Sequence, residues 1–433
     1  MTHNHADLVP DRDVSVSRRW TAVTRVPRGP RARAGRVVVG ALFHRAVRDL
    51  PVRIEYPDGT VVGAGSTSAD AGPRMLIHRP QDFFARVADS GLIGFGEAYM
   101  AGDWSAPDLA AVLTVLATRI GTLVPAPLQR FRAVCMPRQP RSQRGTRAGA
   151  RANVTHHYDL SNEFFSLFLD ETMTYSAALF SRDGRDPAWA DLSAAQGHKF
   201  DVLLDAAGVT VGTRLLEIGT GWGELAIRAA RRGAQVHSVT LSREQQLLAR
   251  ERVAAAGLSD RISVELQDYR DVRGRFDAIV SVEMIEAVGY RYLPAYLRTL
   301  DSLLDDDGRI ALQAITMPHE RMLATRDTYT WVHKYIFPGG FLPSVELLEQ
   351  IAAAHTSLHI RDTRRFGGDY ADTLRLWSQR FTSHAGGAEA LGFDRIFRRM
   401  WRFYLAYSEA GFASGYLDVH HFVLHLSEHD TGR

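Results

Sequence analysis

The stretch LLEIGTGWGE, residues 215–224, indicates the fold of most of this chain. Its apolar residues lead up to Ile218 as in a buried strand, three glycines then permit a tight turn, and helical spacing follows. Beyond residue 195, strand-like segments alternate with helical ones; the later strand-like segments read AQVHSVTL, ISVELQD, FDAIVSVEM and RIALQAI. This alternation predicts a doubly wound α/β fold, in which helices cover both faces of a mostly parallel sheet.

The glycine-rich turn also predicts a ligand site. Gly219 and Gly221 would let the backbone approach a ligand, and the helix that follows offers free N–H groups. Glu217 ends the strand, where its carboxylate would repel a pyrophosphate but would suit the ammonium group of a methionine moiety. No lysine follows the turn as a P-loop requires. These residues favour S-adenosylmethionine over a dinucleotide or a nucleoside triphosphate.

Polar residues at the ends of the next two strands extend this predicted cofactor site. Thr240 and Gln245 follow one strand at the position where dinucleotide folds expect an acid. Asp268 ends the other strand, where it could bind an adenine amino group or instead cap a turn. Leu241 and Tyr269, their neighbours in sequence, are assigned to the same site.

Length and local composition predict two domains. A chain of 433 residues exceeds one ordinary core. We predict a flexible tail over 1–20, a small α+β domain over 21–135 that contains a hairpin in VRIEYPDGTVVGAG, a basic linker over 136–153, and a catalytic domain over 154–433.

Composition restricts the location and the partners. The net charge is +3, and almost every cation is arginine, which reflects codon usage or a surface drawn to anionic phospholipid or nucleic acid. The single cysteine, Cys135, permits neither an intramolecular disulfide nor a cysteine metal cluster. A signal peptide and a span of about 20 apolar residues are both lacking, so we expect a cytoplasmic protein that contacts the inner face of the membrane peripherally.

SVEMIEAVGY, residues 281–290, places two carboxylates directly after an apolar strand. A charge there must be paired, protonated or used, because desolvation disfavours the ionised form. By position alone Glu283 and Glu286 are equivalent candidates for a functional acid, and either could instead cap a helix.

Several motifs occur in an order that resembles the cyclopropane-fatty-acyl-phospholipid synthases and their mycolic acid relatives. They are HHYDLSNEFFSLFLDETMTYSAALF, LLEIGTGWGE, VTLSREQQ, SVEMIEAVGY, YIFPGGFLPS and FYLAYSEAGFASGYLDV. The resemblance covers most of the chain, and it is nearest to the actinobacterial branch that makes 10-methylene, tuberculostearic-type fatty acids. It implies a Rossmann-like methyltransferase fold, in which HHYDLSNEFF forms a lid over the cofactor.

The resemblance also implies the chemistry. A cis alkene of a phospholipid acyl chain attacks the methyl group of S-adenosylmethionine, and a bound bicarbonate removes a proton from the resulting carbocation. Glu286 matches the family residue that holds the bicarbonate, and Tyr370 matches a second ligand of that ion. Tyr175 and Ser176 precede the segment that closes over the cofactor.

Three positions depart from the family pattern. Ala177 and Ser408 replace cysteines, and Gln313 replaces a histidine ligand. Glutamine and serine can still hydrogen-bond bicarbonate, so Gln313 and Ser408 are retained as catalytic candidates. A displaced or weaker base would give a hydride more time to shift, which favours a 10-methylene product over a cyclopropane.

The sequence leaves three alternative functions open. They are a true cyclopropane synthase, a catalytically silent lipid-binding homologue and a nucleic-acid methyltransferase, for which no motif is found. Adjacent histidine pairs at 156–157 and 420–421 lack the spacing of a helical zinc site, so no metal is predicted. We expect phospholipid acyl chains as partners and no nucleic acid; a homodimer and a separate reductase for the product stay open.

Overall fold

A computed structural model describes residues 20–64, 72–118, 140, 146, 149, 160–181 and 184–427. The predictions for the tail, for most of the basic linker and for the histidine pair 156–157 lie outside these ranges. The strands are β1 Arg53–Glu55, β2 Val61–Val62, β3 Arg74–Ile77, β4 Trp104–Ser105, β5 Arg214–Ile218, β6 Gln235–Thr240, β7 Ile262–Leu266, β8 Phe276–Val282, β9 Leu304–Thr316, β10 Leu358–Arg365 and β11 Asp418–Leu426.

The helices vary from one turn to five turns in length. They are α1 Thr21–Thr24, α2 Pro30–Val47, α3 Pro80–Ser90, α4 Leu92–Ala101, α5 Leu109–Thr118, α6 Asn162–Ser166, α7 Leu192–Ala206, α8 Glu224–Arg231, α9 Arg243–Ala255, α10 Leu293–Leu303, α11 His319–Thr325, α12 Trp331–Tyr335, α13 Val345–His355, α14 Gly367–Ser383, α15 Ala385–Ala390 and α16 Arg395–Ala413. Within the described part of the chain, none of them combines the length and apolar character needed to cross a bilayer.

The chain divides into two compact units. The first draws on residues 1–138, 328–335 and 385–414, and the second on 139–327, 336–384 and 415–433. The break after Arg138 falls within the predicted linker. The sequence places everything after residue 154 in one domain, whereas the two later segments group with the N-terminal unit because their apolar side chains pack there.

The first unit contains a small sheet in the order β2-β1-β3-β4. Strands β1 and β2 pair antiparallel, with Ile54 opposite Val62, and this confirms the predicted hairpin. In the same unit Trp331 packs on Phe403, and the Tyr335 hydroxyl donates to Glu97. These contacts join the segment 328–335 to other segments of the same unit.

The second unit is built on a seven-stranded sheet in the order β10-β11-β9-β8-β5-β6-β7. Each neighbouring pair from β9 to β7 is parallel, while β11 runs antiparallel to both β9 and β10. This confirms the predicted doubly wound, mostly parallel α/β fold.

Strand β8 shows why both faces of this sheet are covered. Ile279 packs into the core that contains α10 and α13, whereas its neighbours Ala278 and Val280 pack into the core that contains α7, α8 and α9. Successive side chains of a strand point to opposite faces, so a strand buried on both faces is apolar throughout. Helices on both faces leave the carboxyl ends of the strands as the accessible edge.

The centre of the sheet is a topological switch point. Strand β5 pairs with β6 on one side and with β8 on the other, and Ile218 lies opposite Ser281. Connections leave the carboxyl ends of β5 and β8 in opposite directions, which opens a crevice there. The glycine-rich turn and the segment that contains Glu283 and Glu286 both begin at this crevice.

Candidate active site

A cavity lies at the carboxyl ends of β5, β6 and β8. It is lined by eight residues that the sequence assigned to the cofactor: Tyr175, Ser176, Glu217, Gly219, Gly221, Thr240, Leu241 and Gln245. Residues 172–174, Trp222 and Glu283 also line it, and sequence reasoning had not assigned them to the cofactor. The structure thus brings the glycine-rich turn, the end of β6 and the predicted lid segment to one site.

The glycine-rich turn needs glycine at its first position. Gly219 has φ +98°, and a Cβ atom there would collide with the side chain of Met284. Gly221 also has a positive φ, +51°, but a Cβ there would meet no heavy atom within 4 Å. Gly219 therefore fixes the shape of the turn, whereas Gly221 leaves open space beside the cavity.

Glu217 is a buried polar residue in the lining of the cavity. It is only 3% exposed and accepts a hydrogen bond from the Ser238 hydroxyl, which also contacts the Thr220 hydroxyl at 2.7 Å. Burial raises the pKa of Glu217 to about 8 despite that hydrogen bond. A neighbouring ammonium group would restore the ionised form, so this residue fits the amino-acid moiety of S-adenosylmethionine.

The part of the predicted lid that the structure describes packs beside this cavity. Phe165 is fully buried and contacts both Tyr175 and Trp222, with ring centroids 5.3 and 5.1 Å apart. The indole N–H of Trp222 donates to Asn162 Oδ1 at 2.7 Å. These contacts tie α6 to the residues that line the cavity.

Asp268 and Tyr269 lie outside the set of residues that line the cavity. Asp268 accepts from the backbone N–H of Arg270 at 3.0 Å and pairs with its guanidinium group at 2.6 Å. The Tyr269 ring packs edge-on against Tyr296. Asp268 thus has the turn role left open by the sequence, and adenine binding by this pair stays a prediction.

Glu283 also lines the cavity, and its carboxylate accepts hydrogen bonds from three distant segments. It accepts from the Ala177 backbone N–H at 2.9 Å, from Gln313 Nε2 at 2.8 Å and from the Tyr370 hydroxyl at 3.0 Å. Burial raises the pKa of Glu283, and these donors together with the nearby Lys199 oppose that rise. The same donors stabilise the ionised carboxylate.

Glu286 has fewer hydrogen-bond donors than Glu283. Its Oε1 accepts from the Ile315 backbone N–H at 2.6 Å, while its Oε2 is buried without a hydrogen-bond partner. Burial and the charge of Glu283 raise the pKa of Glu286 to about 8. Glu286 thus has one hydrogen-bond donor, whereas Glu283 has three. Glu286 is therefore the neutral partner at pH 7.

Lys199 supports the loop that supplies the Ala177 N–H. Its side chain is fully buried on α7 and donates to Ser176 Oγ and Gln196 Oε1, both at 2.7 Å. Burial lowers the pKa of Lys199 to about 7, against the attraction of Glu283 and Asp170. Sequence reasoning missed this residue, although a signal existed: it is one of two lysines in a chain that otherwise uses arginine.

His421 on β11 orients Gln313. The Gln313 amide nitrogen faces two acceptors, Glu283 Oε1 and the Ala177 carbonyl, so its Oε1 must accept from His421 Nε2 at 3.0 Å. Burial lowers the pKa of His421 to about 3, which keeps the ring neutral. Strand pairing places His421 opposite Gln313, a juxtaposition that the sequence did not predict.

The expected bicarbonate ligands are arranged differently from the sequence prediction. Tyr370 and Gln313 donate to Glu283, a side chain to which the resemblance gave no role, and Glu286 accepts from the backbone of β9. An additional anion at these donors would displace the Glu283 carboxylate, so the residues present do not fit bicarbonate in this position. Ser408 lies on α16, in the first unit, and its catalytic role stays a prediction.

Comparison with known proteins agrees with this site. The family model described as mycolic acid cyclopropane synthetase matches residues 146–422. Tuberculostearic acid methyltransferase UfaA1 of Mycobacterium tuberculosis is 54% identical over 410 residues, which cover 94% of this chain and 95% of that protein. Cyclopropane-fatty-acyl-phospholipid synthase of Escherichia coli K12 is 34% identical and covers 79% of this chain and 85% of its own length.

A solved structure from the same family has a similar fold. The crystal structure of mycolic acid cyclopropane synthase CmaA1, complexed with SAH and CTAB, superimposes with a TM-score of 0.58 at 32% identity. It covers 66% of this chain and 98% of the CmaA1 chain. The sequence match, the fold and the glycine-lined cavity show that the chain belongs to the mycolic acid cyclopropane synthetase family of S-adenosylmethionine-dependent lipid methyltransferases.

Proposed function

We propose that this enzyme methylates the cis double bond of an oleoyl-type acyl chain in a membrane phospholipid and forms a 10-methylene product. The observation that carries the proposal is that two carboxyl groups, Glu217 and Glu283, line one cavity. Glu217 suits the ammonium group of the methyl donor, and the Glu283 carboxylate is the second charged group available to the reaction. The 54% identity to a tuberculostearic acid methyltransferase supports the same substrate class.

S-adenosylmethionine would supply an electrophilic methyl group, and its transfer to an alkene leaves a positive charge on the lipid. The cavity favours that charge because the Glu283 carboxylate lines it, and the hydrogen-bond donors around this carboxylate oppose the rise in its pKa. Buried aromatic residues around Tyr175 exclude water that would otherwise trap a cation.

The methylene product follows from a hydride shift that precedes proton loss. When a hydride moves from the methyl-bearing carbon to the cationic carbon, loss of a methyl proton leaves an exocyclic methylene. When the proton is lost first, a cyclopropane closes instead. A base held rigidly by Tyr370 and Gln313 cannot follow the methyl group freely, and this restriction favours the slower route.

The alternatives predict different products. A silent lipid-binding homologue would leave oleoyl chains unchanged, and a nucleic-acid enzyme would methylate RNA or DNA. Peripheral association with the inner face of the membrane is part of this proposal, because the substrate is a phospholipid.

The test is expression of the enzyme alone in a host that supplies oleoyl phospholipids. Fatty acids are analysed by mass spectrometry before and after ozonolysis, since methylene and cyclopropane products have equal masses. We expect a new species that ozone converts to a mid-chain ketone. A new species that resists ozone would identify a cyclopropane synthase, and no new species would contradict the proposal.

A further inference from the structure

Glu283 is held in a backbone conformation that glutamate avoids. Its φ is +51°, in the left-handed region that favours glycine. Within the described residues, the other non-glycine residue with positive φ is Met173, and both of these residues line the same cavity. Such strain persists where the surrounding structure enforces it, and it concentrates at functional sites.

The hydrogen bonds around Glu283 define a built anion site. A backbone N–H from the loop before α7, an amide N–H from β9 and a phenol O–H from α14 converge on one carboxylate. Both oxygens are used, because Oε1 accepts from Ala177 and Gln313 and Oε2 accepts from Tyr370. Three donors of this kind would suit any planar anion that presents two oxygens as a carboxylate does, including bicarbonate.

The exposure and the pKa of Glu283 suit a general base. Glu283 retains partial exposure toward the cavity, so the lone pairs not used by its donors can face a substrate. A carboxylate whose pKa is raised by burial is a stronger base than an exposed one, and the hydrogen bonds from its donors oppose that rise. Glu286, already neutral, cannot take this role without first losing its own proton.

We infer that the Glu283 carboxylate replaces bicarbonate in this enzyme and is the internal general base that deprotonates the methylated lipid. This inference rests on the proposed function. After the hydride shift, the C–H bond of the methyl group breaks, its electron pair becomes the π bond between the methyl carbon and the cationic carbon that bears it, and the proton binds a carboxylate oxygen of Glu283. The carboxylic acid then loses its proton to water before the next turnover, so no external anion is consumed.

The test compares wild type with E283Q, E283G and E286Q, each as the full chain, on oleoyl phospholipid vesicles in sealed, argon-purged buffer. Wild-type turnover should be the same with and without added bicarbonate. E283Q keeps the shape but removes the base, so its kcat should fall by about 10²- to 10⁴-fold and should not recover with bicarbonate. E286Q resembles the neutral acid and should lose less than about tenfold.

E283G is the decisive variant. Glycine accepts the positive φ without strain, and its missing side chain leaves three donors for an added anion. Its activity should be low in purged buffer and should rise at least tenfold with millimolar bicarbonate. Binding of ¹³C-labelled bicarbonate, followed by NMR line broadening, should appear in E283G and be absent in wild type.

The outcomes separate this inference from the proposed function. Methylation by wild type that needs added bicarbonate, or ¹³C-bicarbonate bound to wild type at these donors, would overturn the inference alone. Full activity of E283Q would do the same. A folded wild-type enzyme that binds S-adenosylhomocysteine and methylates no lipid would overturn the proposed function, and the role of Glu283 as a base with it.

Discussion

Protonation of Glu217 should control how tightly the cavity binds S-adenosylhomocysteine. With a pKa of about 8, the carboxyl group is ionised in about 1% of molecules at pH 6 and in about 9% at pH 7. If the ligand ammonium group binds only the ionised form, affinity should rise nearly tenfold over this interval, or about 1.4 kcal/mol. The sign follows because raising the pH removes the proton that competes with the ligand.

Isothermal titration calorimetry at the two pH values tests this expectation. Repeating the titration at pH 7 in buffers with different ionisation enthalpies should show nearly one proton released per ligand. The control ligand is 5′-methylthioadenosine, which lacks the ammonium group and should bind equally at both pH values. The control variant is E217Q, which should bind S-adenosylhomocysteine at least tenfold more weakly at pH 8, without a pH slope, because a charge-assisted hydrogen bond contributes about 1.5–3 kcal/mol.

The reasoning would be refuted by equal dissociation constants for S-adenosylhomocysteine at pH 6 and pH 7 in wild type. The same slope in E217Q would assign the pH dependence to another group. The E217Q variant therefore decides whether Glu217 is the group that titrates.

Three further predictions concern stability and the shape of the site. G219A should abolish measurable S-adenosylhomocysteine binding, because alanine at a φ of +98° is strained and its Cβ would collide with Met284. G221A has open space at the Cβ position, so it should bind S-adenosylhomocysteine within about tenfold of wild type. Calorimetry compares the two variants, and equal losses of affinity would contradict the assigned roles. K199M should lower the free energy of unfolding by about 1–3 kcal/mol, because it leaves the buried Ser176 Oγ and Gln196 Oε1 without their donor. Urea denaturation measures this, and a loss below about 0.5 kcal/mol would show that Lys199 is dispensable for stability. The pKa values of Glu217 and Glu286 are raised to about 8 in the folded protein. Their contribution to stability is therefore present below pH 4.5 and is lost as the pH rises toward 8, so the ligand-free protein should be less stable at pH 8 than at pH 6 by about 2 kcal/mol for each carboxyl group. Denaturation at the two pH values measures this, and an opposite trend that persists in E217Q would show that other groups dominate.

Local sequence patterns predicted the sheet, the hairpin and the cofactor end of the site. Apolar strands, a glycine-rich turn and helical spacing act over a few residues, so their consequences can be deduced before any tertiary contact is known. Glu217 could be assigned because it ends a strand directly before that turn, and parallel strands end at one edge of a sheet. Eight predicted cofactor residues accordingly line one cavity.

The role of Glu283 depended on contacts that no local pattern encodes. Ala177 and Tyr370 are separated from it by 106 and 87 residues, and they meet it only after β8, β9 and α14 have packed. The sequence singled out both glutamates of SVEMIEAVGY because burial makes either charge costly, and family resemblance then favoured Glu286. The tertiary structure distinguishes the two, because the carboxylate of Glu283, at a positive φ, accepts hydrogen bonds from three donors while Glu286 accepts one. Packing of distant segments, rather than position in the chain, determines how many donors each of the two neighbouring acids receives.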